Sequence, residues 1–246
     1  MVVEQLKTGV PGLDHVLKGG LRRNSSVLIT GAPGTGKTIM ALQFIYYGAK
    51  EYNENGIFLS TEENLDVLSQ SAKNLGMDLD SMIKQGKLFF VQKPLTTLKG
   101  GIYSIKGLLN SIKKYKIKRV ALDSLIFFEY LYPSHDSNKM EFRRQILIFI
   151  QELKKAGITF LAVSERTITD LDRLNYNMMD FVFEGFIILS RIRKGSYFER
   201  VLTVAKMRGQ DHSLDVYPVT ISNEGLKVLF DQTPFSLVEK EGTGSS

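Results

Sequence analysis

The octapeptide Gly31-Ala32-Pro33-Gly34-Thr35-Gly36-Lys37-Thr38 constrains this chain more than any other stretch. It fits the pattern G-x-x-x-x-G-K-[ST]. It follows Ser26 to Thr30, a short β-rich run, and opens Thr38 to Lys50, where Ile39, Leu42, Phe44, Ile45 and Ala49 share a broad apolar helical face. Strand, glycine-rich turn and helix in that order form a cradle for phosphate groups. Glycines let backbone N–H groups turn inward and approach phosphate oxygens closely. The helix beginning near Lys37 aims its positive dipole end at the same anion. The Lys37 ammonium adds a point charge for β- and γ-phosphates, and the Thr38 hydroxyl is a ligand for Mg²⁺.

The rest of the chain alternates short apolar strands with helices. Ile57 to Ser60, Leu88 to Val91, Val120 to Leu122 and Ile158 to Val163 read as buried strands. Helices are expected at about Asn64 to Leu75, Tyr103 to Tyr115 and Met140 to Ala156. Continuous apolar strands separated by helices indicate an α/β fold with a mainly parallel central sheet covered on both faces. After about Val182 the pattern changes. Phe186 to Arg193, Arg200 to Lys206 and Tyr217 to Ser222 read as a C-terminal antiparallel β meander beside that core. One domain is expected over residues 1–238, with a disordered tail over 239–246.

Three further groups bear on chemistry at the loop. Asp123, at the end of a buried strand, is expected to hold Mg²⁺ through its water shell, since that ion keeps several waters. Glu62 and Glu63 follow the strand Ile57 to Ser60, at the edge where ligands bind open α/β sheets. A glutamate there can polarise a water for attack on a γ-phosphate. Adjacent residues on an extended segment point to opposite sides, and Glu62 is assigned the inward direction with Glu63 assisting. The alternative for this pair is helix capping, with both carboxylates favouring the helix dipole. Ser164, at the end of its own strand, is a candidate sensor of the same phosphate.

Composition narrows the remaining chemistry. There is no cysteine, which excludes disulfides, thiolate metal sites and a cysteine nucleophile. The histidines, His15, His135 and His212, are few and widely spaced. Net charge is +6, a modest excess that permits polyanion binding without showing it. No apolar run approaches the ~20 residues of a membrane helix, and Met1 to Lys7 lacks a signal-peptide core, so a cytoplasmic protein without membrane contact is expected.

With the loop, Asp123 and the paired glutamates in hand, the sequence resembles the KaiC-like branch of the RecA-superfamily ATPases over about Leu6 to Leu229. Thr8-Gly9-Val10-Pro11-Gly12-Leu13-Asp14 and Gly19-Gly20-Leu21 resemble the branch's lead-in to its phosphate loop. Val163-Ser164-Glu165-Arg166 resembles its segment after the sensor strand, and Lys206-Met207-Arg208-Gly209 its Lys-x-Arg-Gly finger. The resemblance implies a RecA core, ATP and Mg²⁺ as ligands, and a homo-oligomer, frequently a hexameric ring with nucleotide between subunits. It also implies that Lys206 and Arg208 reach the γ-phosphate bound in a neighbour. On spacing alone these two cations share a face of a strand and equally fit a solvated edge. Two departures limit the transfer. The clock branch carries two such domains in tandem, where one is expected here. Where the clock branch carries adjacent phosphoacceptor hydroxyls, this chain has Asp180-Phe181-Val182-Phe183-Glu184-Gly185, which excludes clock-type autophosphorylation there.

Two functions remain open at this point. One is an ATPase whose cycle drives assembly or signalling. The other is a nucleotide-dependent binding module, or a recombinase paralogue, acting on DNA or a protein partner with little turnover. The segments matching recombinase DNA loops, Phe127 to Arg144 and Glu165 to Asp180, carry net charges of zero and −2, poor for phosphate contacts. Lys113 to Arg119, Arg191 with Arg193 and Lys194, and Arg22-Arg23 keep weak, sequence-independent DNA binding open, with Tyr115 available to stack on a base.

Overall fold

A computed structural model describes residues 4–61, 63–92, 101–125, 139–166 and 178–237. The strands are β1 (Gln5–Leu6), β2 (Leu21–Arg22), β3 (Ser26–Gly31), β4 (Gly56–Ser60), β5 (Leu88–Gln92), β6 (Arg119–Asp123), β7 (Thr159–Glu165), β8 (Gly185–Lys194), β9 (Tyr197–Met207), β10 (Val216–Ser222) and β11 (Gly225–Val228). The helices are α1 (Leu13–Val16), α2 (Lys37–Glu51), α3 (Leu65–Lys73), α4 (Leu79–Lys84), α5 (Gly101–Lys114) and α6 (Lys139–Lys155).

Nine strands form one sheet in the order β11-β10-β9-β8-β3-β7-β6-β4-β5. From β8 to β5 all pairings are parallel, while β9, β10 and β11 continue the sheet in antiparallel fashion. The expected α/β architecture is therefore present, with one adjustment. β8 belongs to the parallel core, because it pairs in parallel with β3, and the antiparallel part begins only at β9. The strand that carries the phosphate loop is thereby flanked on both sides. Its six residues are all buried.

Period-two alternation divides the core into two layers. Val27 and Ile29 of β3, Ala121 of β6 and Leu161 and Val163 of β7 face one cluster, with Met40, Phe44 and Ile45 of α2. Leu28, Val120, Leu122, Phe160 and Ala162 face the other, with Ile112 of α5 and Ile146, Phe149 and Leu153 of α6. β6 starts at the fully buried Arg119. Its Nε donates to Glu54 at 2.7 Å and its Nη1 to the Phe44 carbonyl at 2.9 Å, which fastens α2 to the sheet. Removing one partner of such a buried pair costs about 3–5 kcal/mol.

Candidate functional site

Because β3, β4, β6 and β7 are parallel, their carboxyl ends finish at one edge of the sheet. Pairing sets their levels. Ser60 lies opposite Asp123, Asp123 opposite Val163, and Gly31 opposite Glu165. A cavity of about 420 Å³ opens at this edge, with Lys37, Thr38, Glu63, Asp123, Glu165 and Arg200 among its walls.

The loop from Gly31 to Lys37 is shaped by what its glycines avoid. A Cβ on Gly31 would collide with the Leu189 carbonyl of the neighbouring strand. Gly36 sits at φ 107° as the N-cap of α2, and no side chain caps the helix. A Cβ there would press on Leu226 Cδ1 at 2.7 Å. A 15-residue helix thus presents its first N–H groups to the cavity without a side-chain acceptor, the arrangement that receives an anion. Thr35, fully buried, closes the turn by donating to the Ala32 carbonyl at 2.8 Å. Lys37 is 6% exposed. Its Nζ donates to the same carbonyl at 3.0 Å and lies 4.0 Å from Glu165 Oε1.

The Thr38 hydroxyl donates to Asp123 Oδ2 at 2.5 Å. This joins the start of α2 to the end of β6 and brings two oxygen ligands together. Mg²⁺ is commonly held by one or two protein ligands plus phosphates and water, so the pair suits that ion. The Asp123 carbonyl accepts Thr61 N at 2.9 Å, and the Ser124 N–H donates to Thr61 Oγ1 at 3.0 Å. Ser60 Oγ donates to the Glu63 carbonyl at 2.6 Å. The turn after β4 is tied by these bonds to β6. Glu63 is exposed and reaches the cavity, while Glu62 lies outside the described residues. Asn64 takes the capping role, its side chain accepting from Val67 N at 3.0 Å, so the glutamates are not needed to cap α3. Ser164 is paired with Thr30, one step below the loop. Its neighbour Glu165 lines the cavity instead.

Sequence reasoning missed Arg200. Strand β9 starts at this edge and places Arg200 opposite Arg191, with Nε donating to the Gly34 carbonyl at 3.3 Å. The turn signal Lys194-Gly195-Ser196 held the clue, since a tight hairpin there fixes which β9 residue returns to the loop.

Lys206 and Arg208 lie at the opposite edge. Lys206 pairs with Phe186 near the start of β8, and the Arg208 N–H donates to the Glu184 carbonyl at 2.9 Å. Leu189, level with Gly31, is three residues beyond Phe186 and five beyond Glu184, which puts the backbone of Lys206 roughly 10 Å and that of Arg208 roughly 17 Å along the strand from the loop at about 3.3 Å per residue. The two cations do share one side, as their spacing indicated. Lys206 Nζ donates to the carbonyls of Asp180 at 2.6 Å and Phe183 at 2.7 Å. Arg208, exposed, donates to the Phe181 carbonyl at 3.3 Å. Burial pushes the Lys206 ammonium below the usual lysine range, Arg208 adds to that shift, and Asp180 opposes it.

Several basic residues considered for DNA are occupied within the chain. Arg119 is buried against Glu54, Arg22 pairs with Glu184 at 2.6 Å, and Arg23 pairs with Glu4 and Glu54 at 2.7 Å each. The Tyr115 ring lies against Phe89 with centroids 4.3 Å apart. Near the tip of the β8–β9 hairpin, Lys194 Nζ donates to the Phe235 carbonyl at 2.6 Å and Arg193 Nε to the Gly195 carbonyl at 2.9 Å, with Arg191 on the same strand. Most of the two recombinase-like loops lies outside the described residues. No helix among the described residues is long and apolar enough to cross a membrane.

A family model described as the KaiC ATPase matches residues 6–233. The circadian clock oscillator protein KaiC of Parasynechococcus marenigrum is 34% identical over 236 residues, covering 93% of this chain and 45% of that protein. Its namesake from Prochlorococcus marinus is also 34% identical, with 93% and 46% covered. The chain thus spans about half the length of the curated relatives it matches. The crystal structure of a KaiC-like protein from the hyperthermophilic archaeon Pyrococcus horikoshii superposes with a TM-score of 0.78 at 30% identity, covering 92% of this chain and 99% of that one. A phosphate loop on the middle of a nine-stranded sheet and this breadth of likeness lead to one assignment: the chain belongs to the KaiC family of RecA-superfamily ATPases.

Proposed function

We propose that the chain binds ATP with Mg²⁺ at the carboxyl edge of its sheet and hydrolyses it in a homo-oligomer, a ring of about six copies in which a neighbour completes each site. The observation that carries this reading is the Thr38–Asp123 hydrogen bond, which assembles an oxygen pair beside the buried Lys37 ammonium.

The roles follow from position. Backbone N–H groups from Gly31 through Thr38 cradle the phosphates, with Ala32, Pro33, Gly34, Thr35 and Gly36 shaping the loop. Lys37 leaves the Ala32 carbonyl for the phosphate oxygens. Thr38 and Asp123 hold Mg²⁺, Asp123 through water, and the ion would neutralise charge on the β- and γ-phosphates. Glu62, with Glu63 beside it, orients the attacking water; Ser164 and Glu165 stand below the γ-phosphate position. Lys206 and Arg208, too distant from their own loop, serve the neighbour's nucleotide.

Steady-state phosphate release, with and without single-stranded DNA, tests the proposal. Turnover that needs Mg²⁺, is unaffected by DNA and disappears in Lys37→Ala with weakened ATP binding is the expected result. Lys37→Ala should weaken binding roughly 10–10²-fold, the worth of a hydrogen bond to a charged group. Unchanged affinity in that variant would overturn the assignment. Stimulation by DNA would favour the binding-module reading, against which the internal pairing of Arg22, Arg23 and Arg119 counts.

A further inference from the structure

Between the phosphate loop and the finger runs a set of polar contacts that neither role explains. Arg166 follows β7, and its N–H donates to the carbonyl of Gly31, first residue of the loop, at 3.1 Å. Its Nη1 donates to Asp180 Oδ2 at 2.7 Å. Asp180 is 2% exposed and sits in the short 3₁₀ turn Met178–Phe181. The backbone of that turn and of the two residues after it holds both finger cations: Lys206 on the carbonyls of Asp180 and Phe183, Arg208 on that of Phe181.

We propose that the Arg166–Asp180 ion pair positions the finger and links it to the phosphate loop of its own subunit, so that nucleotide in one site governs the finger lent to the next. This rests on the reading of Lys206 and Arg208 as acting across an interface. Glu165, adjacent to Arg166, lies 4.0 Å from Lys37 Nζ. A γ-phosphate arriving at Lys37 displaces that interaction and shifts the backbone from which Arg166 reaches out. The far end of the finger is fixed. Gln210 accepts from Arg22 N at 2.7 Å and donates to the carbonyls of Leu17 at 3.2 Å and Gly20 at 2.9 Å. Movement of the 178–183 turn therefore changes the aim of Lys206 and Arg208 while the chain beyond them stays anchored. Arg208 has two alternative partners, the Phe181 carbonyl at home or an anion next door, which supplies the two-state element that coupling requires.

The test is the ATP dependence of hydrolysis at ring-forming protein concentration, for wild type, Arg166→Gln, Arg166→Lys and Asp180→Asn, with ATP affinity measured separately at equilibrium. Wild type is expected to be sigmoidal, with a Hill coefficient above unity. Arg166→Gln and Asp180→Asn should fall to unity, with saturated turnover reduced roughly 10–10²-fold by misaiming and ATP affinity unchanged. Arg166→Lys, which keeps the charge, should recover part of the cooperativity and carries the test if Asp180→Asn does not fold. A hyperbolic wild type, variants as cooperative as wild type, or variants whose loss tracks ATP affinity would each overturn the link. Arg208→Ala, assayed in parallel, separates the causes: full activity there would mean that the finger reading itself is wrong, whereas a dead Arg208→Ala beside fully cooperative Arg166→Gln removes only the link.

Discussion

The two edges of the sheet set their cations in different surroundings, one beside a cavity and the other against a turn. At the carboxyl edge Lys37 is buried inside a loop whose helix N-terminus lacks a side-chain cap, its Nζ on the Ala32 carbonyl and 4.0 Å from Glu165 Oε1, and it lines the cavity. At the other edge Lys206 and Arg208 rest on carbonyl oxygens of their own chain. The cavity lies at one edge and the two cations at the other, roughly 10–17 Å of strand apart. On the function proposed above, the chain carries both halves of a phosphoryl-transfer site at separate edges. That proposal makes a second copy the element that brings them together.

Removing the finger cations should break this comparison most severely. A cation supplied in trans contributes roughly 10³–10⁵ in rate, so Arg208→Ala should lower steady-state turnover by that order while ATP binding by calorimetry is retained. At the carboxyl edge the expected loss is smaller. Glu62→Gln should slow hydrolysis roughly 10²–10⁴-fold with binding intact, the size of a general acid–base contribution. If Glu63→Gln produces that loss instead, the roles of the pair are exchanged.

The smallest effect is a pH dependence confined to the finger edge. The Lys206 pKa is lowered, by burial first and then by Arg208. Its charge is therefore lost in an alkaline window below the ordinary lysine value, and activity should decline there. Stability moves the other way. The unfolded chain holds this proton more tightly, so the contribution of this group to stability rises with pH across the same window. Rate and melting profiles of wild type and Lys206→Arg would show it, the variant lacking the early alkaline fall in rate.

Much of this was legible in the sequence because it is local. The loop announces itself through residue types at fixed spacing, and continuous apolar runs placed β3, β4, β6 and β7 within a residue or two. What was not legible depends on pairing between distant segments. β8 was read as the start of a meander because nothing in Gly185 to Lys194 reveals that it pairs with β3 in parallel. Arg200 was missed for the same reason, and Arg119 was counted as surface charge because its partner Glu54 is 65 residues away. Lys206 and Arg208 were found by likeness to a family, while their distance from their own loop emerged only from the register of β8 and β9.

The most direct test of the central claim mixes two inactive proteins. Arg208→Ala has an intact phosphate edge and no finger; Glu62→Gln has an intact finger, still binds ATP and cannot position water. Phosphate release is measured for each alone and for the mixture, over protein concentrations from dilute to ring-forming. A site shared between copies predicts activity in the mixture that neither protein shows alone, and wild-type activity per subunit that rises with concentration. No recovery on mixing, together with wild-type activity per subunit that stays constant down to monomeric concentration, would contradict it and place the whole site within one chain.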